Sequence, residues 1–600
     1  MVARRAFSSQ GRHSRPLDSR IGIHGPRAFE KGRAMPEHDL IIHNGPVITL
    51  DGGSCVAEAV AVTGGLVSAV GTSAEVLVGK GRTTRVIDLD GRTACPGFYD
   101  THAHMDREGL KARSGYSLAG RHSVAAIVDA VKSAVARTPK GEWIIFMPMG
   151  TPKLSYISRP DQLEEGRFPT RHDLDAVSPD NPVYIRVPWG WWVHRPFVCV
   201  ANSAAIARAG IDRETEAPYN VEIVKANGEP TGVFLDRSYA PVIEYTLFRC
   251  APRITFEDRV AGCRLGAAAY AAAGTTSIYE GHGLTPAILD AYRRVYEDGD
   301  LKVRVNLPLS LPGASIDDRR LTEVLNEWAS RLAGRGHGDE MYRLEGICVD
   351  VANDKAAAII GADYPYEALA GHFYHSLSHE RFVKIGVHAA RLGIRLNCLI
   401  CYDLERVLRA YEAIDAQVPI RDRRWVMIHV IEATPDQINR MKALGVIATV
   451  TPNFMYMASD RFNLHEIGET AMPVRALIDA GVPVALSSDN VPYSMLWTMW
   501  EALARWDEDS GRRIGESNLT REEALRMICQ TGALVTWEED RKGTLEVGKL
   551  GDIVVLDDNP LTCDEDVLKD IRVEYTFLGG REVFGPGMTD PGPIDGPDPD

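Results

Sequence analysis

Long apolar runs, a dense cysteine pattern and an excess of basic residues are all absent from this sequence. No uninterrupted apolar run approaches the roughly 20 residues that a helix needs to cross a bilayer. The 10 cysteines are scattered through 600 residues, which argues against a disulfide scaffold and favours a reducing compartment. The 82 Asp and Glu exceed the 67 Lys and Arg, giving a net charge of −15. Because that balance disfavours nucleic acid and anionic membranes as partners, we expect a cytoplasmic protein that binds neither.

The two ends of the chain differ in composition from the rest. Residues 1–34 are rich in Arg and Ser and poor in acids, which is typical of a transit peptide or of a disordered tail. We favour a disordered tail over residues 1–36, or a translation start assigned too early, because Met35 opens sequence that looks ordered. Residues 586–600 are mostly Pro, Gly and Asp, and we expect them to be disordered as well.

Short strands separated by Gly and Asp turns dominate residues 37–92 and 545–585. Neither stretch contains a helical pattern that could cover its apolar face. We therefore predict that the two ends pair with each other in one small β-sandwich domain.

Between these stretches, residues 93–544 alternate strands and helices. Eight candidate strands are found, at 93–104, 274–280, 301–309, 344–351, 394–402, 424–430, 445–453 and 482–490. This alternation predicts an α/β fold, a (β/α)8 TIM-like barrel. The stretch at about 113–253 is too long for one crossover, so we interpret it as an inserted cap subdomain.

Polar residues at the strand ends indicate a metal site, because barrels of this kind carry their catalytic residues at the C-terminal ends of the strands. His102 and His104 end the first strand, and residues i and i+2 of a strand share a face. His429 ends the sixth strand and Asp489 follows the eighth. Three imidazoles and a carboxylate suit zinc or a similar divalent metal.

Several motifs resemble the amidohydrolase superfamily, and within it the YtcJ-like (amidohydrolase-3) branch. "PGFYDTHAHMD" and "VPVALSSDN" are similar to its first-strand and eighth-strand motifs. "FPTRHDLDAVSPDNPVYIRV", "HRPFVCVANSAAIARAGI" and "NGEPTGVFLD" are similar to its characteristic insert. The resemblance implies a metal-dependent hydrolase of a small molecule, cleaving the C–N bond of an amide, N-acyl, N-formyl, imide or urea-like group. It also implies a homodimer.

The resemblance is incomplete at two ligand positions. Leu399 stands where the family has a fifth-strand histidine, and Cys348 stands where many members have a bridging lysine. Cys348 could bind zinc as a thiolate or could be an apolar core residue. Cys398 and Cys401 could form half of a zinc or redox motif, although a buried strand end explains them as well. The site could therefore hold one ion or two.

The ligand set implies a mechanism in which the metal lowers the pKa of its bound water toward ~7. Asp489 would take a proton from that water and pass it to the leaving nitrogen. His194 matches a family histidine that faces the substrate carbonyl. It could donate to the developing oxyanion, or it could be a structural histidine.

Other candidate substrate-binding residues each have a structural alternative. Trp189 and Trp192 could line a pocket for an apolar or aromatic group, or could pack the cap. Asn202 could bind substrate but also suits a helix cap. Glu280 and His282 follow the second strand and could face the cavity or lie in an exposed loop.

Two other functions remain open on the sequence. The altered ligand positions could support a one-metal lyase, a deaminase or a C–C-cleaving enzyme on the same barrel. The missing fifth-strand histidine is also compatible with a binding protein that has lost catalysis, although the retained His102, His104, His429 and Asp489 argue against this.

Overall fold

The computed structural model describes residues 37–151, 155–188, 194–238, 241–313, 316–352, 355–361, 377–400, 403–592 and 596–599. Its centre is a parallel sheet of eight consecutive strands that lie in the order of the sequence. These are Phe98–Ala103, Thr275–Glu280, Arg304–Ser310, Tyr342–Cys348, Leu396–Leu399, Val426–Ile428, Ile447–Val450 and Val484–Leu486. Each of the eight overlaps a predicted strand, and the predicted (β/α)8 barrel is confirmed.

Helices surround these strands and cover their apolar outer surface. The longer ones are Met105–Ser114, Phe256–Ala272, Pro286–Glu297, Asp318–Leu332, His379–Arg391, Leu404–Asp415, Pro435–Leu444, Met495–Ala504 and Arg521–Cys529. Shorter helices include Lys355–Gly361, Asn453–Ala458, Leu464–Ile467, Val474–Ala480 and Thr531–Val535. Ser378 and Thr434 accept backbone hydrogen bonds at the starts of two helices, as side-chain N-caps do.

Side chains join the first and eighth barrel strands, which do not pair in the strand ladder of the described residues. The hydroxyl of Thr101 donates to the carbonyl of Leu486 at 2.8 Å. Asp100 accepts from the backbone N–H of Ser488 at 3.1 Å and from its hydroxyl. Because these contacts lie at the carboxyl ends of both strands, the barrel closes at the place where His102 and Asp489 emerge.

A second sheet joins strands from both ends of the chain, as predicted. Its strands are Leu40–Ile48, Val56–Thr63, Leu66–Gly71, Arg85–Asp88, Thr93–Pro96, Ile553–Leu556, Val573–Leu578 and Arg581–Phe584. Thr93–Pro96 pairs with Ile553–Leu556 and so links the two halves. This single sheet is compatible with the predicted β-sandwich.

The insert forms its own five-stranded sheet, with strands Ile144–Phe146, Val183–Ile185, Phe197–Ala201, Val221–Ala226 and Glu229–Asp236. Helices Val124–Val135, Arg171–Asp175, Ser203–Ala209 and Val242–Tyr245 accompany it. Two apolar clusters form on these elements, one around Phe234 and one around Phe146.

Charged groups are buried inside the amino-terminal half of the barrel. Arg395 lies 3.1 Å from Glu345, and their side chains are 2% and 0% exposed. The Arg395 guanidinium also lies over the ring of Tyr279, 4.9 Å from its centroid, and donates to the carbonyl of Val535. Burial raises the pKa of Glu345 to about 7, although Arg395 opposes the rise.

The C-terminal residues form neither helix nor strand where they are described. The backbone N–H of Ser117 donates to the carbonyl of Pro597 at 2.9 Å, and Arg121 lies 3.2 Å from Asp598. Across the described residues, no helix has the length and apolar character of a membrane span.

Candidate metal centre

His102 and His104 emerge at the end of the first barrel strand and reach one carboxylate. His102 is 0% exposed and His104 is 3% exposed. Nε2 of His104 lies 2.8 Å from Oδ1 of Asp489, and Nε2 of His102 lies 3.5 Å from the same oxygen. Neither ring nitrogen of His102 makes a hydrogen bond to the described residues. The strand therefore presents two imidazoles to one buried carboxylate, as the i, i+2 spacing predicts.

A chain of hydroxyl groups orients His429 at the end of the sixth strand. Nδ1 of His429 is 2.8 Å from the hydroxyl of Thr451, which is 2.7 Å from the hydroxyl of Ser487. Ser487 donates to the carbonyl of Val450 at 3.2 Å, so Thr451 can donate to Ser487 and accept from His429. This order leaves Nε2 of His429 with its lone pair, 3.9 Å from Oδ2 of Asp489.

Asp489 is held by its backbone, and its carboxylate is left without hydrogen bonds from the residues that the structure describes. Its N–H donates to the carbonyl of His102 at 3.1 Å, and neither oxygen has a hydrogen-bond partner among the described residues. The φ angles of His429, Asp489 and Asn490 are 58°, 51° and 60°. Left-handed non-glycine residues are uncommon and cluster at functional sites. The carboxylate is thus fixed in place and left open to another ligand.

Burial sets the protonation of these groups. It lowers the pKa of His102 well below its usual value, with Arg107 adding to the effect. It lowers the pKa of His429 to about 3. It raises the pKa of Asp489 to about 6, against the opposing influence of His429 and Arg107. The imidazoles of His102 and His429 are therefore neutral at pH 7, the form that binds metals.

The donor atoms fit a divalent metal ion. One atom from each of His102, His104 and Asp489 lies within 4.8 Å of the others, and the same holds for His102, His282 and His429. Lone pairs of neutral imidazoles and the oxygens of a carboxylate repel each other when they converge in a dry site. A bound cation removes that repulsion, and imidazole with carboxylate is a common zinc ligand set.

Glu280 lies behind His104 on the side away from Asp489. Its Oε1 is 2.7 Å from Nδ1 of His104, and its side chain is fully buried. The guanidinium of Arg107 contacts both groups, donating to Glu280 at 3.2 Å. A carboxylate on the second nitrogen of a ligand histidine fixes the ring and raises its basicity. Glu280, predicted to bind substrate, thus lies where it can orient His104.

We expect Glu280→Gln to weaken zinc binding by about 10–100-fold, because such outer partners contribute that much to metal affinity. Competition of the metal-depleted protein with a chromophoric chelator measures the dissociation constant directly. Glu297→Gln, at an exposed position on the next helix, is the control and should bind zinc as the wild type does. Equal affinity in wild type and Glu280→Gln would contradict the orienting role.

The profile of the amidohydrolase family matches residues 85–584. The chain belongs to the amidohydrolase family. An N-substituted formamide deformylase from Arthrobacter pascens is 28% identical over 561 residues, covering 90% of this chain and 97% of the relative. The putative amidohydrolase YtcJ of Bacillus subtilis (strain 168) is 25% identical over 568 residues, covering 91% and 99%. The predicted membership of the YtcJ-like branch is confirmed.

A solved structure supports the fold of this amidohydrolase. An uncharacterized metal-dependent hydrolase from Pyrococcus horikoshii superposes with a TM-score of 0.62 at 20% identity, covering 88% of this chain and 99% of that one. At this identity the likeness concerns the fold alone. The family membership makes the protein a hydrolase, and the His and Asp groups are suited to a metal.

Cys348 is in neither donor group of this amidohydrolase. It is buried in an apolar cluster with Tyr279, Ile428 and the partly buried Leu399, and burial raises the pKa of its thiol well above the usual value. This packing supports the core alternative over the predicted ligand role. Cys398 is also buried, and Cys401 lies outside the described residues.

Of the candidate substrate-binding residues of the insert, the structure describes His194 and Asn202. His194 is exposed, and its Nε2 lies 3.1 Å from Asp509. Asn202 caps helix Ser203–Ala209, accepting from the N–H groups of Val183 and Ala205 and donating to two carbonyls. Those four bonds use the full capacity of its amide, which supports the capping alternative. Trp189 and Trp192 lie outside the described residues.

The sequence leaves His282 either in an exposed loop or facing the cavity. In the structure both of its ring nitrogens are buried and one lies among the donors, which supports the cavity alternative. A signal was present: "EGH" after the second strand has the same i, i+2 spacing as "HAH" after the first.

Proposed function

We propose that this protein hydrolyses the C–N bond of a small N-substituted amide, using a divalent metal, with zinc as the first candidate. The observation that carries the proposal is the convergence of His102, His104 and Asp489 in a buried group on an amidohydrolase chain. The relative named as an N-substituted formamide deformylase, matched over 97% of its length, makes an N-formyl group the first substrate to test.

The residues of this chain divide the chemistry between them. His102, His104, His429 and Asp489 would hold the ion. When bound, a divalent metal lowers the pKa of its water so that hydroxide is available at neutral pH, and it polarises the substrate carbonyl. Asp489 accepts the proton of the attacking water on a carboxylate oxygen and delivers it to the leaving nitrogen, which then departs as a neutral amine.

The substrate in this proposal carries an apolar or aromatic substituent on its nitrogen. The ring of Phe454 lies 5.1 Å from the ring of His429 and 6.0 Å from that of Phe462, so aromatic side chains border the donor group on one side. His194 as oxyanion donor, and Trp189 and Trp192 as pocket residues, stay part of the proposal. So do a cytoplasmic location and a homodimer.

The test is product analysis with purified protein. We expect N-benzyl and N-alkyl formamides to yield formate and the free amine in equal amounts, with slower release from the matching acetamides and ureas. Dialysis against a chelator should abolish the release, and added zinc or manganese should restore it.

Two outcomes would overturn this proposal. Ammonia or carbon dioxide as the main product would favour the deaminase or lyase alternatives. Activity that survives complete metal removal would contradict a metal-dependent reaction.

A further inference from the structure

We propose that His282, after the second barrel strand, is a fourth imidazole ligand of the metal ion. It would replace the fifth-strand histidine, whose position is taken by Leu399. This inference rests on the proposed metal-dependent function and adds to it a ligand from a strand that the sequence motifs did not indicate.

The ring of His282 lies among the other imidazoles. Its centroid is 4.9 Å from that of His102 and 4.7 Å from that of His104. One nitrogen of His282 lies within 4.8 Å of donors from His102 and His429. Since His102 also belongs to the group with His104 and Asp489, the two groups form one continuous set of donors.

Two glycines allow the chain after the second strand to take this path. A Cβ on Gly281 would come within 1.9 Å of Nδ1 of His102. Gly283 has a φ of +68°, and a Cβ there would lie 2.9 Å from the backbone nitrogen of Ser310. Only glycine tolerates such close approach and such a backbone without strain. The turn is thereby pressed against His102, and His282 between the glycines is held beside it.

Leu399, at the position of the missing fifth-strand histidine, cannot supply a ligand. Leu399 ends that strand and packs against the apolar cluster that contains Cys348, and its N–H donates to Asp350 at 3.0 Å. A hydrocarbon side chain offers no donor atom. The two strand ends thus complement each other, with the imidazole present on the second strand and absent from the fifth.

The experiment compares metal binding in His282→Ala, His282→Gln and wild type. Metal-depleted protein is titrated with zinc against a chromophoric chelator, and with cobalt(II) while its visible absorption is recorded. We expect both variants to lose more zinc affinity than the 10–100-fold that removal of an outer partner typically costs. Their cobalt absorption band should be weaker and shifted. Adding imidazole to His282→Ala should restore the wild-type band. His379→Ala, at an exposed helix start, is the control and should match the wild type.

The outcomes separate this inference from the proposed function. Both variants could bind metal with wild-type affinity and give an unchanged cobalt spectrum. That result would overturn the role of His282 and leave the proposed metal-dependent function standing. A wild-type protein that binds neither zinc nor cobalt would overturn both proposals. Circular dichroism of each variant shows whether the fold is retained, and His282→Gln keeps most of the side-chain volume should His282→Ala unfold.

Discussion

Replacing Asp489 by asparagine is expected to lower kcat/KM for the amide substrate by at least about 10³-fold while the fold is kept. Positioned general acids and bases contribute about 10²–10⁴-fold, and in the proposed mechanism Asp489 acts as both. An amide cannot accept the proton of the attacking water. The loss should appear in kcat, because the proton is transferred only in the reaction itself.

Asp489→Asn should change the charge of the side chain with little disturbance of the surrounding structure. Neither carboxylate oxygen of Asp489 hydrogen-bonds to the described residues, so within that part of the chain the variant changes only the contacts with the histidines, among them the 2.8 Å approach of Oδ1 to Nε2 of His104. Asparagine has the same shape and, like aspartate, tolerates the left-handed backbone that Asp489 adopts at a φ of 51°. A change in activity therefore reports on charge and proton transfer.

Metal content decides how the result is interpreted, because Asp489 also lies in the donor group. Rates are measured at saturating zinc, and the bound metal is determined by elemental analysis. Asp460→Asn, at an exposed position, is the matched control and should keep full activity. More than about a tenth of wild-type activity in metal-loaded Asp489→Asn would remove this residue from the proton transfer.

Residues that follow directly from strand register were predictable from the sequence. A barrel strand presents its end to the C-terminal face, and alternation decides which side chains point inward. His102, His104, His429 and Asp489 all lie on or directly after recognisable strands, and the structure brings them within reach of one another.

Residues whose position depends on loop packing could not be predicted in the same way. The i, i+2 spacing of "EGH" gives His282 a local signal, but the close approach of Gly281 to His102 that holds it beside the donor group is a tertiary contact. Glu280 and His104 are 176 residues apart in the sequence, so their contact also depends on the tertiary fold. The sequence favours a capping role for Asn202, but its four hydrogen bonds depend on the fold of the insert and could not be predicted.

The second large effect concerns stability, and it lies in the half of the barrel away from the donor group. Arg395→Met is expected to lower the free energy of unfolding by about 3–5 kcal/mol, because removing one partner of a buried ion pair leaves the other charge uncompensated. The charge left behind is that of Glu345, whose side chain is fully buried. Denaturant unfolding followed by tryptophan fluorescence measures the loss.

The loss should depend on pH in a defined direction. Burial already raises the pKa of Glu345 to about 7 beside Arg395, so the folded protein holds this proton at a pH where the unfolded chain has released it. The proton held by Glu345 therefore stabilises the folded state at low pH, and this stabilisation disappears as the pH rises through 7. The Arg395→Met variant should therefore be closer to wild type at pH 6 than at pH 8.

Two further variants distinguish an uncompensated charge from a simple packing defect. Arg395→Met combined with Glu345→Leu removes both charges, and apolar replacement of a whole buried pair is often neutral or stabilising. The double variant should then recover most of the stability, with little dependence on pH. Arg293→Met breaks the exposed pair with Glu297, whose side chains are 51% and 53% exposed, and should cost no more than about 1 kcal/mol. A double variant as unstable as Arg395→Met would mean that the guanidinium stabilises the barrel through its contacts with Tyr279 and Val535 instead of through its charge.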